Sequence, residues 1–437
     1  MAYKNKYKPA KSAKEKLRDT EQLMVETTIK HMAKGELIWD KGRSDPLGAS
    51  VPTAMYKGTP YRGFNALNLM MTGAIRGTST NYYGTYNQMG IIGGHKKDYN
   101  DNPDNLPQNS RTTTVVNRPF YKNSQDQLWF KTEQGGRRMF PTKDEIEADG
   151  LTQMSDKEQR AYHPLMGTKA AADVFFYKPW YKDPKTDKGW YVYEKGKKRE
   201  DPTKEEIAKY NLQKLLVLKS YVVFDYENMS HVSENWLQKR NLVDRNINKD
   251  ELEGTHNKRL ASIVEKIKEN LGVEVVHDAS VDTPHYQPGR DIIKMPPRSM
   301  YKDDQRYYHT LLHEMAHATG HETRLNRESL HTYSDAIENR AYEELIAEFS
   351  GMFMSSQLGL LVPSATEMDS HAAYIKSWHE RLIEDAANGK YGMLRKAATD
   401  AQRAVDFLTK NLDLNLEHDQ DEPKKKAPEL DYDEMTP

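Results

Sequence analysis

Leu311-Leu312-His313-Glu314-Met315-Ala316-His317-Ala318-Thr319-Gly320-His321 decides how the second half of this chain is read. Four residues make about one helical turn, so in a helix His313 and His317 project from one face and can share a metal ion. Asp303 or Asp304 can cap such a helix, Tyr308, Leu311, Leu312 and Met315 supply its buried side, and Gly320 ends it. Glu314 stands beside the two imidazoles, where it can take a proton from water held there. Imidazole nitrogens suit zinc, which makes hydroxide accessible near neutral pH. Three fixed positions in five also arise by chance in helices, so the reading needs a third ligand.

That ligand is sought in Ala341-Tyr342-Glu343-Glu344-Leu345-Ile346-Ala347-Glu348-Phe349-Ser350-Gly351-Met352-Phe353. At about 100° per residue, Tyr342, Leu345, Ile346, Phe349, Met352 and Phe353 form one apolar stripe. Glu344 and Glu348 lie one turn apart at its edge, and Ala347 and Gly351 would let another helix come close there. The expectation is Glu344 as third ligand, Glu348 behind it orienting an imidazole, and Glu343 and Ser350 pointing elsewhere. Glu343, Glu338 and Asp335 are the alternatives, and a solvated glutamate face is the alternative for the whole helix. The position six residues after His317 is Thr323, so a third histidine at that spacing is absent. His309 and His321 continue the four-residue spacing, but consecutive turns of one helix cannot wrap a tetrahedral ion, so both are read as supporting or surface residues.

The 437 residues have room for two or three domains. Without a cysteine the chain has no disulfide and no thiolate site, which leaves histidine and carboxylate as metal ligands. No apolar run has the length of a membrane span and no signal peptide is recognisable, so a cytoplasmic location without membrane contact is expected. The net charge of −1 hides a split. Residues 1–250 carry 42 Lys and Arg against 31 Asp and Glu, whereas residues 251–437 carry 22 against 34. A basic first half suits a polyanionic partner.

In chain order, residues 1–10 read as a disordered basic arm and Lys11 to Leu37 as an amphipathic helix. Residues 51–122 combine Tyr56, Tyr61, Phe64, Tyr82, Tyr83 and Tyr86 with eight Lys and Arg and three acids. Rings for unstacked bases and cations for phosphates are what single-stranded nucleic acid asks for. Tyr61, Arg62, Tyr82, Tyr83, Lys96, Lys97 and Arg111 are the candidate contacts, with Phe64 and Tyr86 assigned to the core. An insertion is placed near 123–212, containing a hairpin from Val174–Tyr181 to Trp190–Tyr193 in which Trp180, Tyr181 and Trp190 could stack. Leu215 to Phe224 reads as a buried strand closing the domain of residues 11–229. Residues 230–255 serve as linker, residues 256–412 as second domain and residues 413–437 as a disordered acidic tail. In the second domain, Asp291-Ile292-Ile293-Lys294-Met295-Pro296 reads as a strand that could align an extended peptide as an added strand.

These residues resemble the ArdC-type antirestriction proteins of conjugative plasmids and phages. Pro60-Tyr61-Arg62-Gly63-Phe64-Asn65, Thr85-Tyr86-Asn87-Gln88 with Gly93-Gly94, and Tyr221-Val222-Val223-Phe224-Asp225 resemble elements of the family's first half. Asp291 to Pro296, His313 to His321 with Arg324-Leu325, Glu343 to Glu348 and Asp400-Ala401-Gln402-Arg403-Ala404 resemble its metallopeptidase core. Where the family carries a Lys-Gly-Glu-Lys-Gly-like run after Gly-Gly, this chain has His95-Lys96-Lys97. The resemblance implies an α+β chain of two domains. The first is a mixed α/β domain for single-stranded DNA, and the second a gluzincin-like zinc metallopeptidase domain. It also implies protection of incoming DNA from host restriction. The other readings are a non-catalytic DNA-binding shield with a structural zinc, and a zinc protease acting on a host restriction or defence protein.

Overall fold

The computed structural model describes residues 10–38, 51–230, 232, 249–358, 371–410 and 412. Within 51–230 it leaves out 79–80, 94–95, 99–114, 118–119, 128, 134–135, 139–140, 156–164, 166–168 and 195–196. The arm, the tail and most of the expected linker therefore lie outside the described residues.

Helix α1 (Ala13–Met32) starts on Ser12, whose hydroxyl accepts from the Glu15 N–H while Glu15 reaches back to the Ser12 N–H. Helix α2 (Gly63–Arg76) begins at a glycine with φ +50° and stops at Gly77, whose left-handed φ of +67° closes the last turn. Helix α3 (Tyr86–Ile92) has its own capping box between Thr85 and Gln88. The Thr-Tyr-Asn-Gln motif is thus a helix start.

These helices accompany a six-stranded sheet of β1 (Thr53–Ala54), β2 (Thr59–Pro60), β3 (Tyr82–Thr85), β4 (Ala172–Asp183), β5 (Lys188–Gly189) and β6 (Gln213–Asp225). Their order is β5-β4-β6-β3-β1-β2. Strand β4 pairs antiparallel with β6 from Ala172↔Val223 to Lys182↔Gln213. It is therefore a main strand of the domain, so residues from Ala172 on do not belong to an insertion. The expected hairpin turns where the sequence suggests, with Lys182↔Gly189 and Asp183↔Lys188 paired, but it is short, because Val192–Glu194 pairs with Lys197–Arg199 instead. Strand β6 is not buried along its length. Only Val223 and Asp225 are enclosed, because β3 covers it only from Val223 to Asp225.

The second half opens with α4 (Lys249–Leu271), which starts inside the stretch expected to be linker. Strands β7 (Glu274–His277), β8 (His285–Gln287) and β9 (Ile292–Met295) form a sheet ordered β7-β9-β8. Strand β9 is central, parallel to β7 and antiparallel to β8. Both of its edges are taken, so it cannot accept a peptide as an added strand. Four long helices follow among the described residues: α5 (Asp304–Ala318), α6 (Ile337–Gln357), α7 (His371–Ala387) and α8 (Met393–Leu408), with a short helix, Glu328–His331, between the first two.

One hydrophobic core runs through both halves, from Val25 and Leu67 to Leu312, Phe349, Trp378 and Ala401. Helix α8 joins them, packing on α6 with one side and on α2 with another. At that junction Gln402 Oε1 accepts from the Gly63 N–H at 2.9 Å, and Arg62 pairs with Asp406. Asn65 and Asn68, one turn apart on α2, hold the base of β4. Asn65 bonds both the N–H and the carbonyl of Phe175, and Asn68 donates to the Asp173 carbonyl.

A candidate metal centre between two helices

Helix α5 is capped by Asp303, whose carboxylate accepts from the Arg306 N–H at 2.8 Å. Leu311, Leu312 and Met315 are buried, which fixes the rotation of the helix and turns His313 and His317 toward α6. The two rings lie 5.0 Å apart. Opposite them stands Glu344, with Oε2 3.5 Å from His313 Nε2 and 3.6 Å from His317 Nε2. Ligands at about 2.0–2.2 Å from a tetrahedral ion are separated from one another by roughly 3.4 Å. Glu344 Oε2 therefore stands near that spacing from both Nε2 atoms, farther than a good hydrogen bond, and all three donor atoms lie within 4.8 Å of one another. Among the described residues they form the one group of this kind.

Each imidazole is backed by its own carboxylate. Glu348 Oε2 lies 3.7 Å from His313 Nδ1, and Glu343 Oε1 lies 3.3 Å from His317 Nδ1. Glu343 does not point away, as the helical wheel suggests; it is fully buried and also accepts from Arg327 and Ser329. Arg327 in turn donates to the Ala316 carbonyl at 2.8 Å, satisfying the end of α5. Gly320 makes room for this, since a Cβ there would stand 2.8 Å from Arg327 Nη2. Tyr333 donates to Glu344 Oε1, which leaves Oε2 facing the imidazoles. Arg327, Ser329 and Tyr333 come from the loop and short helix between α5 and α6, where no sequence periodicity marks them.

Of the four buried carboxylates of Glu314, Glu343, Glu344 and Glu348, Glu343 is paired with the Arg327 guanidinium. Buried charge must be matched, so the remaining positive charge falls to the imidazoles or to an ion between them. Burial lowers the His317 pKa, but Glu344 and Glu343 overcome that and lift it to about 10. His313 is raised in the same way, against its burial, by Glu344. Burial pushes Glu344 up, yet the His317 and His313 imidazoles hold it well below the usual carboxylate range. Glu343, pushed up by burial and pulled down by Arg327 and His317, settles at about 2. A cavity that draws protons onto two imidazoles is chemically suited to a divalent cation in their place.

Glu314 is 7% exposed and close enough to the two imidazoles that its charge helps to raise both. Of the other candidates, Asp335 is exposed and the Glu338 side chain lies outside the described residues. His309 bonds Ser355 Oγ at 2.9 Å and supports the α5–α6 contact, while His321 bonds Thr323 beyond the helix. A Cβ on Gly351 would lie 3.6 Å from His309 Cε1, so alanine would fit at this contact.

The residues selected for DNA contact are scattered. Tyr83 is 1% exposed and donates to the Leu69 carbonyl, so it is core and offers no face to a base. Tyr61 is partly buried against the core, and that burial lifts its hydroxyl pKa to about 12. Arg62 is engaged at the α8 junction and Tyr82 packs on Met55, Met89 and Ile92. Lys96 and Lys97 lie in a strand paired with Val115–Asn117, with side chains outside the described residues; Arg111 is outside them altogether. Trp190 is 8% exposed, so it too is a core residue, whereas Trp180 is 38% exposed.

Comparison with known proteins matches two stretches of the chain. Residues 18–224 match the family described as the N-terminal domain of anti-restriction factor ArdC, and residues 262–390 match the zincin-like metallopeptidase family. A DNA primase TraC of Escherichia coli is 34% identical over 144 residues, 33% of this chain and 9% of that protein. The chain therefore spans about a tenth of that relative's length. The antirestriction ArdC protein from the R388 plasmid is similar in its metal-free structure, with a TM-score of 0.49 and 22% identity over 90% of this chain and 97% of that one. Its Mn(II)-bound structure gives a TM-score of 0.48 at the same identity and coverage.

Proposed function

Because this chain joins the N-terminal domain of the ArdC anti-restriction family to a zincin-like metallopeptidase domain, we propose that it protects incoming mobile DNA from host restriction. In this reading the first half holds single-stranded DNA, and His313, His317 and Glu344 hold zinc. The observation that carries the metal assignment is the convergence of the three donors, with Glu344 Oε2 3.5 and 3.6 Å from the two Nε2 atoms. A zinc ion bound there would polarise a carbonyl and make water nucleophilic near neutral pH.

The surrounding residues have separate tasks. Glu343 and Glu348 face the Nδ1 atoms, keeping the Nε2 atoms turned to the centre. Tyr333 fixes the Glu344 carboxylate. Glu314 takes the proton from the attacking water and passes it to the leaving amine of a peptide bond. In this reading the peptide bond belongs to a host restriction or defence protein. Glu314→Gln should then retain zinc and lose both hydrolysis and protection in a restriction-challenge transfer assay. His313→Ala should lose the metal. Equal metal loss in the two variants contradicts this division of roles.

A second reading has support in the burial of the centre, since the three ligand side chains are only 6–12% exposed. Here the metal is structural and protection is steric. Wild-type protection by a metal-loaded Glu314→Gln protein would select this reading. The DNA part has its own test: affinity for a labelled oligonucleotide must fall steeply with salt, and a flat salt dependence contradicts it.

A further inference from the structure

The outer part of the β4–β6 pair is a two-stranded ribbon exposed on both faces. From Phe176 to Trp180 every residue of β4 is exposed, although a strand of a covered sheet would bury alternate positions. The base of the ribbon is held by Asn65 and Asn68 and by Lys16 on Asp173.

Cross-strand partners share a face, so the register places Phe176 with Lys219, and Val174 with Tyr221. Lys178 and Trp180 follow on that face. Phe176 meets Tyr221 edge-on at 6.0 Å, and Lys178 Nζ lies 5.2 Å above the Tyr221 ring. Trp180 lies across the turn, held flat against Gly189, where a Cβ would come within 2.8 Å of the indole. Rings and ammonium groups thus alternate along one face at steps of about 7 Å. Residues 176–189 and 213–220 contain six lysines and two aspartates.

We propose that this ribbon is where an unpaired polynucleotide strand is held, with bases on Phe176 and Trp180 and phosphates on Lys178 and Lys219. The inference rests on the reading of the first half as a single-stranded-DNA-binding domain and gives that reading a place. The lysine excess complements a polyanion, and exposed ring faces are of use only to bases that are not already stacked in a duplex.

The test is fluorescence anisotropy of the full chain with a labelled oligothymidylate across a salt series, with circular dichroism to verify the fold of each variant. Phe176→Ala should bind roughly 5- to 100-fold more weakly. The Lys178→Gln/Lys219→Gln protein should lower the slope of log affinity against log salt by about 1.4, because each phosphate contact contributes about 0.7 on single strands. Arg62→Gln, at the α8 junction, should leave the slope unchanged. Duplex of the same length should bind more weakly than the strand. If the wild type binds and the folded ribbon variants match it in affinity and slope, the ribbon is not the site, though the broader reading stands. If the wild type binds no strand at all, the broader reading itself fails. Equal affinity for duplex and strand would overturn the role of the rings.

Discussion

The centre between α5 and α6 and the β4–β6 ribbon concentrate charge in opposite ways. At the centre, Glu343, Glu344 and Glu348 are nearly or wholly shut off from water; Glu343 is tied to Arg327, Glu344 to Tyr333, and Glu348 faces His313 Nδ1 at 3.7 Å. On the ribbon the ion pair Lys182–Asp187 has its aspartate 83% exposed. The same charges act differently in the two places because water and salt screen the ribbon and hardly reach the centre. Removing a partner should therefore be costly in one place and nearly free in the other.

The largest effect is expected at Glu343. Glu343→Ala strands Arg327 beside the end of α5, and loss of one member of such a pair costs about 3–5 kcal/mol in urea unfolding. Acid should show it too. The Glu343 pKa is depressed to about 2 from the ordinary 4.5. Its contribution is thus complete above about pH 4.5 and is lost as pH falls toward 2. A Glu343→Gln protein should lose that part of the acid dependence.

Next comes Asn65, where the ribbon meets the core. Asn65→Ala removes both bonds to the Phe175 backbone and should cost about 2–3 kcal/mol in the same unfolding measurement. If it costs nothing, the base of the ribbon is not anchored as described. Glu348→Ala should lower metal affinity by about 10- to 100-fold in a chelator competition, with the fold intact. The smallest effect belongs to the exposed pair, where Asp187→Asn should change stability by less than about 0.5 kcal/mol. A cost comparable to that at Glu343 would erase the contrast between the two regions.

The convergence of His313, His317 and Glu344 was legible because a helix converts sequence spacing into direction. His313 and His317 are one turn apart, and the apolar stripe of α6 sets which edge Glu344 occupies. Glu343 was misread for the same reason: the wheel gives direction but not what the intervening loop brings there, namely Arg327 and Ser329. Tyr61 and Arg62 show what the wheel cannot give at all. A tyrosine, an arginine and a glycine together have the composition of a nucleic-acid surface. Their partners, Asp406, Gln402 and Phe175, lie far along the chain, so only the fold reveals a structural junction. Strand β6 shows a related limit. An apolar run such as Leu215 to Leu218 reads as buried, and a ribbon exposed on two faces has no distinguishing period.

The account stands most directly on a zinc titration of the metal-stripped chain, followed by calorimetry for wild type, Glu314→Gln and Glu344→Ala. One ion per chain should bind to wild type and to Glu314→Gln, and binding to Glu344→Ala should be weakened at least 100-fold. Zinc bound as tightly by Glu344→Ala as by wild type, or not bound by wild type at all, would contradict the assignment of His313, His317 and Glu344 to a single ion.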